Sequence, residues 1–481
     1  MRMAYAIAVL LAIPVYLPRL FRSFWVDEAW TFWMAHEGTW SAIARSSETM
    51  GQSLLYGAIA SLFCLQDGLM REPLLRLPSL AGLGLMLYFT SRLARRAMGP
   101  AAGLCTFVLL LFHPLSLETY VQARPYALAA AAVAASFCML YEWVETRQRR
   151  FAAGYAVATA LIFYLHYLYS MALLAQACFL FWVFVVEKRT ARWKDLGAAV
   201  LSVAVLLLPL AQQLRRLAGS AKTLVFSPEP TWLELLTALA PVMLVFGAIC
   251  AGGLVLLTPA VWGAARRKWE FPAPSLCVLL LVWWMGGSVF LFLVSRLTPI
   301  HVFVARYLGS SAPADALLLT AIGVAVFEWE IVTRWAFIVV LVSTASPVRW
   351  RTAWQPGGME ARPAIEIVRR VSPNQPPPMF FKSSFYESNR VDWRRGLDSQ
   401  MFYELVAYPV PNRFLPLPIR FDEEAKQEVA GLLNGELKDT PIVVFVQLGD
   451  VPEWVVTQMA LRGYRMEVQQ PNGYSVAIFR R

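Results

Sequence analysis

Charged residues are scarce in this sequence. They make up 16% of its 481 residues, whereas hydrophobic residues make up 58%, and soluble domains carry about a quarter charged residues. Apolar runs of roughly 20 residues, enough to cross a bilayer as a helix, recur until about residue 347. This composition excludes a soluble globular protein and predicts a helical protein that crosses a membrane many times.

Cysteine and histidine are also few, with six and four residues respectively. The cysteines lie in or beside apolar runs without any CxxC spacing, so we expect small buried side chains and neither a disulfide framework nor a zinc site. The formal net charge is +11, but most Lys and Arg stand in short loops between apolar runs. The excess charge therefore indicates membrane topology and anionic lipid, not nucleic acid.

The basic loops predict how the chain crosses the membrane. The run at 52–66 is too short for a span and is expected to lie at the interface. With that run excluded and the N-terminus inside, the loops "SRLARRAMG", "ETRQRR", "EKRTARWKD", "ARRKWE" and "EWEIVTR" all face the cytoplasm, as the positive-inside rule requires. This assignment of the loops to the two sides of the membrane gives about eleven transmembrane helices.

The segment "RLPSL" predicts a helix start, with Pro78 in its first turn and Arg76 at the interface.

The chain divides into two predicted domains. Residues 1–347 form the transmembrane domain, whose first outer loop is 21–73, and residues 348–481 form a small extracytoplasmic α/β domain. The fold class is thus a polytopic α-helical membrane protein with a C-terminal α/β domain.

Periodicity predicts several elements of the C-terminal domain. Asp422 to Leu433 is expected to form an amphipathic helix, and "TPIVVFVQLG" a buried strand. "VPEWVVTQMALRGY" predicts a helix closed by Gly463, and the last residues predict a hairpin that turns at Pro471-Asn472-Gly473.

Two adjacent acids, Asp27 and Glu28, stand in "WVDEAW" directly after the first span. Trp25, Trp30 and Trp33 surround them, as at an interfacial aromatic belt. They could be ordinary solvated loop acids, but ionisable groups at membrane depth are costly and usually functional. One of two such carboxylates can act as a base near neutral pH. Together they could also hold a divalent cation, although no further ligand at suitable spacing accompanies them.

Two Arg–Tyr combinations open apolar helices on the predicted outer face. They are Arg124 with Tyr126 in "ARPYALAA", and Arg306 with Tyr307 in "ARYLGSS". Either arginine could be a snorkelling interface anchor. Two arginines on the face that carries the acids instead favour a phosphate-bearing substrate, because the guanidinium fork binds phosphate in a bidentate way.

Other polar residues on the same face are further candidates for the site. Glu118 and Gln122 precede Arg124, and His301 precedes Arg306. His166 and Tyr167 stand in "FYLHYLYS". A lone histidine at such a place is more often a hydrogen-bonded structural residue than a catalyst.

Taken in order, these motifs resemble a known family. They are the acidic "DE" after the first span, "LLRLPSLAGLGLMLYFTSRLARRAMGPAAG", "YVQARPYALAA", "HYLY" and "ARYL". The sequence from residue 1 to about 320 is similar to the GT-C class of integral-membrane glycosyltransferases. It most resembles the branch of protein O-mannosyltransferases, lipid A aminoarabinose transferases, and bacterial galacturonosyl or mannosyl transferases.

The resemblance implies an enzyme of the plasma (inner) membrane that transfers a sugar, with inversion, from a polyprenyl-phosphate donor on the outer face. The acceptor would be a lipid, a glycan or a protein, and no cofactor would be required. Asp27 would be the base with Glu28 beside it, and Arg124 and Arg306, with their tyrosines, would bind the donor phosphate. The family's Pro-Pro-Leu-Tyr is replaced here by "GQSLLYG", which puts acceptor handling in the first outer loop in doubt.

Two other functions fit the composition. A transporter or flippase of lipid-linked sugars would share the spans and the cationic outer site, but would favour internal repeats and helices broken at mid-membrane, neither of which the sequence shows. A non-enzymatic scaffold would act mainly through its C-terminal domain.

Overall fold

The computed structural model describes residues 2–48, 53–189, 193–219, 228–239, 253, 273–326, 359–385, 392–399 and 401–481. The chain forms two compact units. We call the first, Met1–Leu20, Gly38–Phe63 and Arg76–Ala353, the helical unit. We call the second, Phe21–Glu37, Cys64–Leu75 and Trp354–Arg481, the mixed-sheet unit. The predicted domain boundary at 347 lies outside the described residues.

Fifteen helices precede the C-terminal region in the described part of the chain. They are α1 Arg2–Leu20, α2 Val26–Ala35, α3 Thr39–Glu48, α4 Leu54–Ser61, α5 Arg71–Met98, α6 Pro100–Leu111, α7 Pro114–Glu118, α8 Tyr126–Thr146, α9 Arg149–Leu165, α10 Ala172–Phe181, α11 Trp193–Leu207, α12 Ala211–Gly219, α13 Trp232–Leu239, α14 Pro274–Leu297 and α15 Ala312–Val326. Tyr167–Met171 and Ala305–Ser311 are 3₁₀ segments, and Trp182–Val186 is a π-helical segment.

Membrane-spanning helices are present, as the sequence predicts. The described residues hold seven helical stretches that are long and apolar enough to cross a bilayer. Two further apolar stretches of the sequence, 232–262 and 332–347, lie largely or wholly outside the described residues, so the count of eleven stays a prediction. Helix α4 has eight residues and is about 12 Å long, which is too short to span.

Small residues bring α5 and α8 close together in the helical unit. A Cβ atom on Gly82 would lie 2.5 Å from the backbone nitrogen of Leu128, so only glycine permits this approach. The turn between α5 and α6 uses Gly99, at a φ of 97°, followed by Pro100 at the first helical position. Both residues follow ordinary helix-boundary preferences.

The predicted helix start at "RLPSL" is wrong. Helix α5 begins at Arg71 and contains Pro78 in its interior. Arg76 is 3% exposed and is not an interface anchor. Its guanidinium donates to the carbonyl oxygens of Arg19 and Leu20 at the end of α1, at 3.0 and 2.7 Å. Arg76 therefore caps the C-terminal end of α1, where side-chain donors commonly bond to the last carbonyls of a helix.

The mixed-sheet unit contains a five-stranded sheet in the order β2-β1-β3-β5-β4. Its C-terminal elements are α16 Ala361–Arg370, β1 Met379–Lys382, α17 Tyr403–Ala407, β2 Phe414–Leu417, α18 Glu423–Asn434, β3 Ile442–Leu448, α19 Glu453–Leu461, β4 Arg465–Gln469 and β5 Tyr474–Arg480. Strands β2, β1 and β3 are parallel, whereas β5 pairs antiparallel with both β3 and β4.

The elements predicted for the C-terminal region are confirmed. Asp422 caps α18 by accepting a hydrogen bond from the Ala425 N–H, and strand β3 is buried at all but its two end residues. Gly463 follows α19 at a φ of 82°, and the β4–β5 hairpin turns through Asn472 and Gly473, both at positive φ.

Helix α2, which carries the two acids, belongs to the mixed-sheet unit. Trp30 stacks on Tyr403 of α17 with a centroid distance of 5.5 Å, and Trp33 lies 5.0 Å from the same ring. Nearby, the buried carboxylate of Glu72 accepts hydrogen bonds from the Tyr408 hydroxyl, at 2.9 Å, and from the Arg362 guanidinium, at 3.0 Å. The segment after the first span is therefore packed against residues from the C-terminal region.

Candidate functional site

Five of the residues predicted for the site meet within the helical unit. Arg124 lies two residues before Tyr126, the first residue of α8, and His166 lies just beyond the end of α9. Arg306 and Tyr307 lie in the 3₁₀ segment that precedes α15. We call these five residues the arginine–tyrosine cluster. Its members come from three separate stretches of the chain, each at the end of a helix.

The rings of the cluster stand around His166. Its imidazole lies 5.3 Å from the Tyr126 ring and 5.4 Å from the Tyr307 ring, measured between centroids. The two tyrosine rings are 6.4 Å apart, and the buried Tyr169 ring lies 4.7 Å from His166. Four rings from three segments of the chain thus lie side by side in the cluster.

Each arginine lies over the tyrosine that accompanies it in the sequence. The Arg124 guanidinium carbon is 5.8 Å from the Tyr126 centroid, and the Arg306 carbon is 5.3 Å from the Tyr307 centroid. Arg124 is 8% exposed. Burial, and then the charges of Arg124 and Arg306, lower the pKa of His166. Because both guanidinium charges act on this one ring, the cluster concentrates positive charge around a neutral imidazole.

Two tyrosines missed at the sequence level hold the segment that carries Arg306. The Tyr169 hydroxyl donates to the Arg306 carbonyl oxygen at 2.9 Å, and the Tyr120 hydroxyl donates to the Gly309 carbonyl oxygen. A Cβ atom on Gly309 would overlap both hydroxyl groups. Tyr169 stands in the "HYLY" motif and Tyr120 opens the "YVQARPYALAA" motif, so both motifs were a signal for these residues.

A chain of hydroxyl groups leads to the backbone of Arg124. Ser79 donates to the Arg124 carbonyl oxygen at 3.0 Å, and its hydroxyl lies 2.9 Å from that of Tyr56. Since the Ser79 proton is used on Arg124, Tyr56 donates to Ser79. Ser53 caps α4 by accepting from the Tyr56 N–H. Ser53 and Tyr56 therefore help to position Arg124.

The two predicted acids have different surroundings in the mixed-sheet unit. Glu28 is 1% exposed, and its carboxylate accepts a hydrogen bond from the Trp25 N–H at 3.3 Å. This contact caps the start of α2. Asp27 is half-buried in the first turn of the same helix. Within the described residues, no group of three or more His, Cys, Asp or Glu side chains is suited to a metal ion.

The remaining candidates lie in the neighbouring loops. Glu118 is exposed at the end of α7, and Gln122, Tyr167 and His301 are half-buried. The Gln122 carbonyl oxygen accepts from the Arg124 N–H at 2.7 Å. The roles assigned to these four residues stay predictions.

The chain has the fold of solved GT-C glycosyltransferases. It aligns with ArnT from Cupriavidus metallidurans bound to undecaprenyl phosphate at a TM-score of 0.58 and 13% identity, covering 98% of this chain and 97% of that one. The apo state of the same protein aligns at 0.59. An Archaeoglobus fulgidus oligosaccharyltransferase in complex with Zn and sulfate aligns at 0.51 with 14% identity, covering 92% of this chain and 67% of that one. No protein-family model matches the chain, and no curated protein matches it by sequence. The GT-C resemblance seen in the sequence is confirmed at the level of the fold.

Proposed function

We propose that this protein transfers a sugar from a polyprenyl-phosphate donor to an acceptor on the outer face of the plasma membrane. The observation that carries the proposal is the arginine–tyrosine cluster, in a chain with the GT-C fold. The structure described for ArnT holds undecaprenyl phosphate, which is a polyprenyl phosphate like the leaving group of the donor proposed here. The cluster offers two guanidinium groups to one phosphate, together with tyrosine rings.

The proposed reaction is a single displacement. The acceptor oxygen attacks the anomeric carbon, the bond from that carbon to the phosphate oxygen breaks, and polyprenyl phosphate leaves with the bonding electrons. Asp27 takes the acceptor proton, and one displacement inverts the anomeric centre. Arg124 and Arg306 stabilise the negative charge that develops on the leaving phosphate.

His166 has a binding role in this proposal. Its lowered pKa keeps the imidazole neutral, so it adds no third charge between the arginines. Its ring nitrogens can still form hydrogen bonds with the donor.

Polyprenyl phosphate is a good leaving group once arginines neutralise its charge, so we propose that transfer needs no metal. The alternative is a divalent cation bound at Asp27 and Glu28.

Replacing the arginines tests the proposal. Arg124→Ala and Arg306→Ala should each weaken undecaprenyl phosphate binding to the purified protein by about 10- to 150-fold, because each loses a charge-assisted hydrogen bond worth roughly 1.5–3 kcal/mol. Lys at either position should restore only part of the affinity, since it lacks the planar fork.

Arg149→Ala is the matched control, because Arg149 is an exposed arginine paired with Asp195 at 3.4 Å. It should bind the lipid as the wild type does. Wild-type affinity in both cluster variants would show that these arginines do not bind the donor. A flippase would bind the lipid through the same arginines yet form no glycosylated product with purified donor and acceptor.

A further inference from the structure

A polar cavity lies at the end of α8 opposite to the arginine–tyrosine cluster. It has a volume of about 470 Å³ and is formed where α5 and α8 end and α9 begins. Its lining residues are Arg92, Arg95, Arg96, Glu142, Thr146, Gln148, Arg150 and Phe151. Helix α8 has 21 residues, so about 30 Å of helix separates this cavity from the arginine–tyrosine cluster.

One of the four arginines is neutralised within the cavity. Arg92 donates to both carboxylate oxygens of Glu142, each at 2.7 Å. Arg95, Arg96 and Arg150 are exposed, and none of them forms an ion pair with a carboxylate in the part of the chain that the structure describes. The lining therefore carries three positive charges in excess of its acid.

The positive charges of the cavity come from two helices. Arg92, Arg95 and Arg96 are spaced at i, i+3 and i+4 along α5, and Arg95 and Arg96 lie in its last turn, where the helix C-terminus favours positive charge. Arg150 approaches the same cavity from α9. The first turn of α9 lies there as well. Gln148 gives it no side-chain cap, and the start of a helix favours negative charge.

We propose that this cavity binds a phosphate group. Three guanidinium groups line a hollow of this size without a carboxylate partner among the described residues, and the guanidinium fork matches the bidentate geometry of phosphate oxygens. That of Arg150 also lies over the Phe151 ring, at 4.8 Å from its centroid. Two sources share this chemistry, namely the headgroup of an anionic phospholipid and a free phosphate compound. The cavity lies at the ends of apolar helices, on the face predicted to be cytoplasmic, where anionic headgroups are abundant. This site is independent of the proposed sugar transfer.

Two double variants distinguish a defined binding site from non-specific attraction by the basic surface. Arg95→Gln with Arg96→Gln removes two cavity arginines. Arg147→Gln with Arg149→Gln removes two arginines from the adjacent chain turn, neither of which lines the cavity. Native mass spectrometry of the purified full-length protein, titrated with phosphatidylglycerol, measures lipid binding. The change in thermal midpoint with inorganic phosphate measures binding of the free anion.

For a lipid headgroup, the cavity variant should bind phosphatidylglycerol about 30-fold more weakly, since each lost charge lowers the affinity about fivefold. The control should stay within about threefold of the wild type. If the free anion is the ligand, the same difference should appear with inorganic phosphate alone. Lys at both cavity positions should retain part of the binding, which shows that the variants fold. Equal losses in the two double variants, or no binding of either probe to the wild type, would overturn the proposal.

Discussion

At the scale of single residues, the two adjacent carboxylates of α2 have different surroundings. Glu28 is buried, and its carboxylate caps α2 through the Trp25 N–H. Asp27, the adjacent residue, is half-buried. A carboxylate that already accepts a helix-capping bond is poorly placed to take a proton from an acceptor, so we infer that Asp27 is the base and Glu28 holds the helix that presents it.

This division of tasks predicts different effects of two isosteric changes. Asp27→Asn keeps the shape but removes the proton acceptor, so the transfer rate should fall by about 10²–10⁴, with little change in undecaprenyl phosphate affinity. Glu28→Gln can still accept from Trp25 and should cost the rate much less. Both quantities should be measured on the same purified proteins. Retained transfer with lost lipid binding in Asp27→Asn would instead assign the acids to binding or to a cation.

At the scale of elements, the 3₁₀ segment Ala305–Ser311 holds Arg306 and Tyr307 in place. Two buried tyrosine hydroxyls bond to its carbonyl groups, from Tyr169 to Arg306 and from Tyr120 to Gly309. Such close approach requires that residue 309 have no side chain. The segment is thus positioned by hydroxyl groups from distant parts of the chain.

Gly309→Ala should therefore displace the segment, weaken undecaprenyl phosphate binding and lower thermal stability, since overpacking costs about 1–3 kcal/mol. Gly84→Ala on α5 is the control, because a Cβ atom there meets nothing within 4 Å. Tyr169→Phe in the Gly309→Ala background removes one of the clashing hydroxyls and should restore part of the binding. If Gly309→Ala and Gly84→Ala bind the lipid equally well, the segment does not depend on this contact.

At the scale of the whole molecule, the basic loops predict on which side of the membrane each exposed position lies. The described residues supply exposed test positions, Glu118 beyond α6, Gln148 before α9 and Ala460 on α19. The positive-inside rule places Gln148 in the cytoplasm and the other two outside.

Single cysteines in a background without the six native ones test this topology. Glu118→Cys and Ala460→Cys should react with a membrane-impermeant thiol reagent in intact cells, whereas Gln148→Cys should react only after the cells are opened. The reverse pattern would move the proposed site to the cytoplasm. Labelling after permeabilisation checks that each cysteine is accessible.

Local patterns of sequence determined much of this protein. Apolar length predicted the membrane helices, and the strand, caps and turn of the C-terminal region followed from periodicity and from Gly463 and Gly473, because these signals depend only on near neighbours. Arg124 and Arg306 were found in the same way, since each stands at the start of an apolar helix.

Long-range contacts decided the rest. Arg76 caps α1 across 57 residues, and Tyr120 reaches Gly309 across 189. Hydrogen bonds of this kind leave no periodic trace in the sequence, because the partner is chosen by packing. For the same reason, only the tertiary structure joined α2 and its acids to the mixed-sheet unit, and only it gathered Arg95, Arg96 and Arg150 around one cavity.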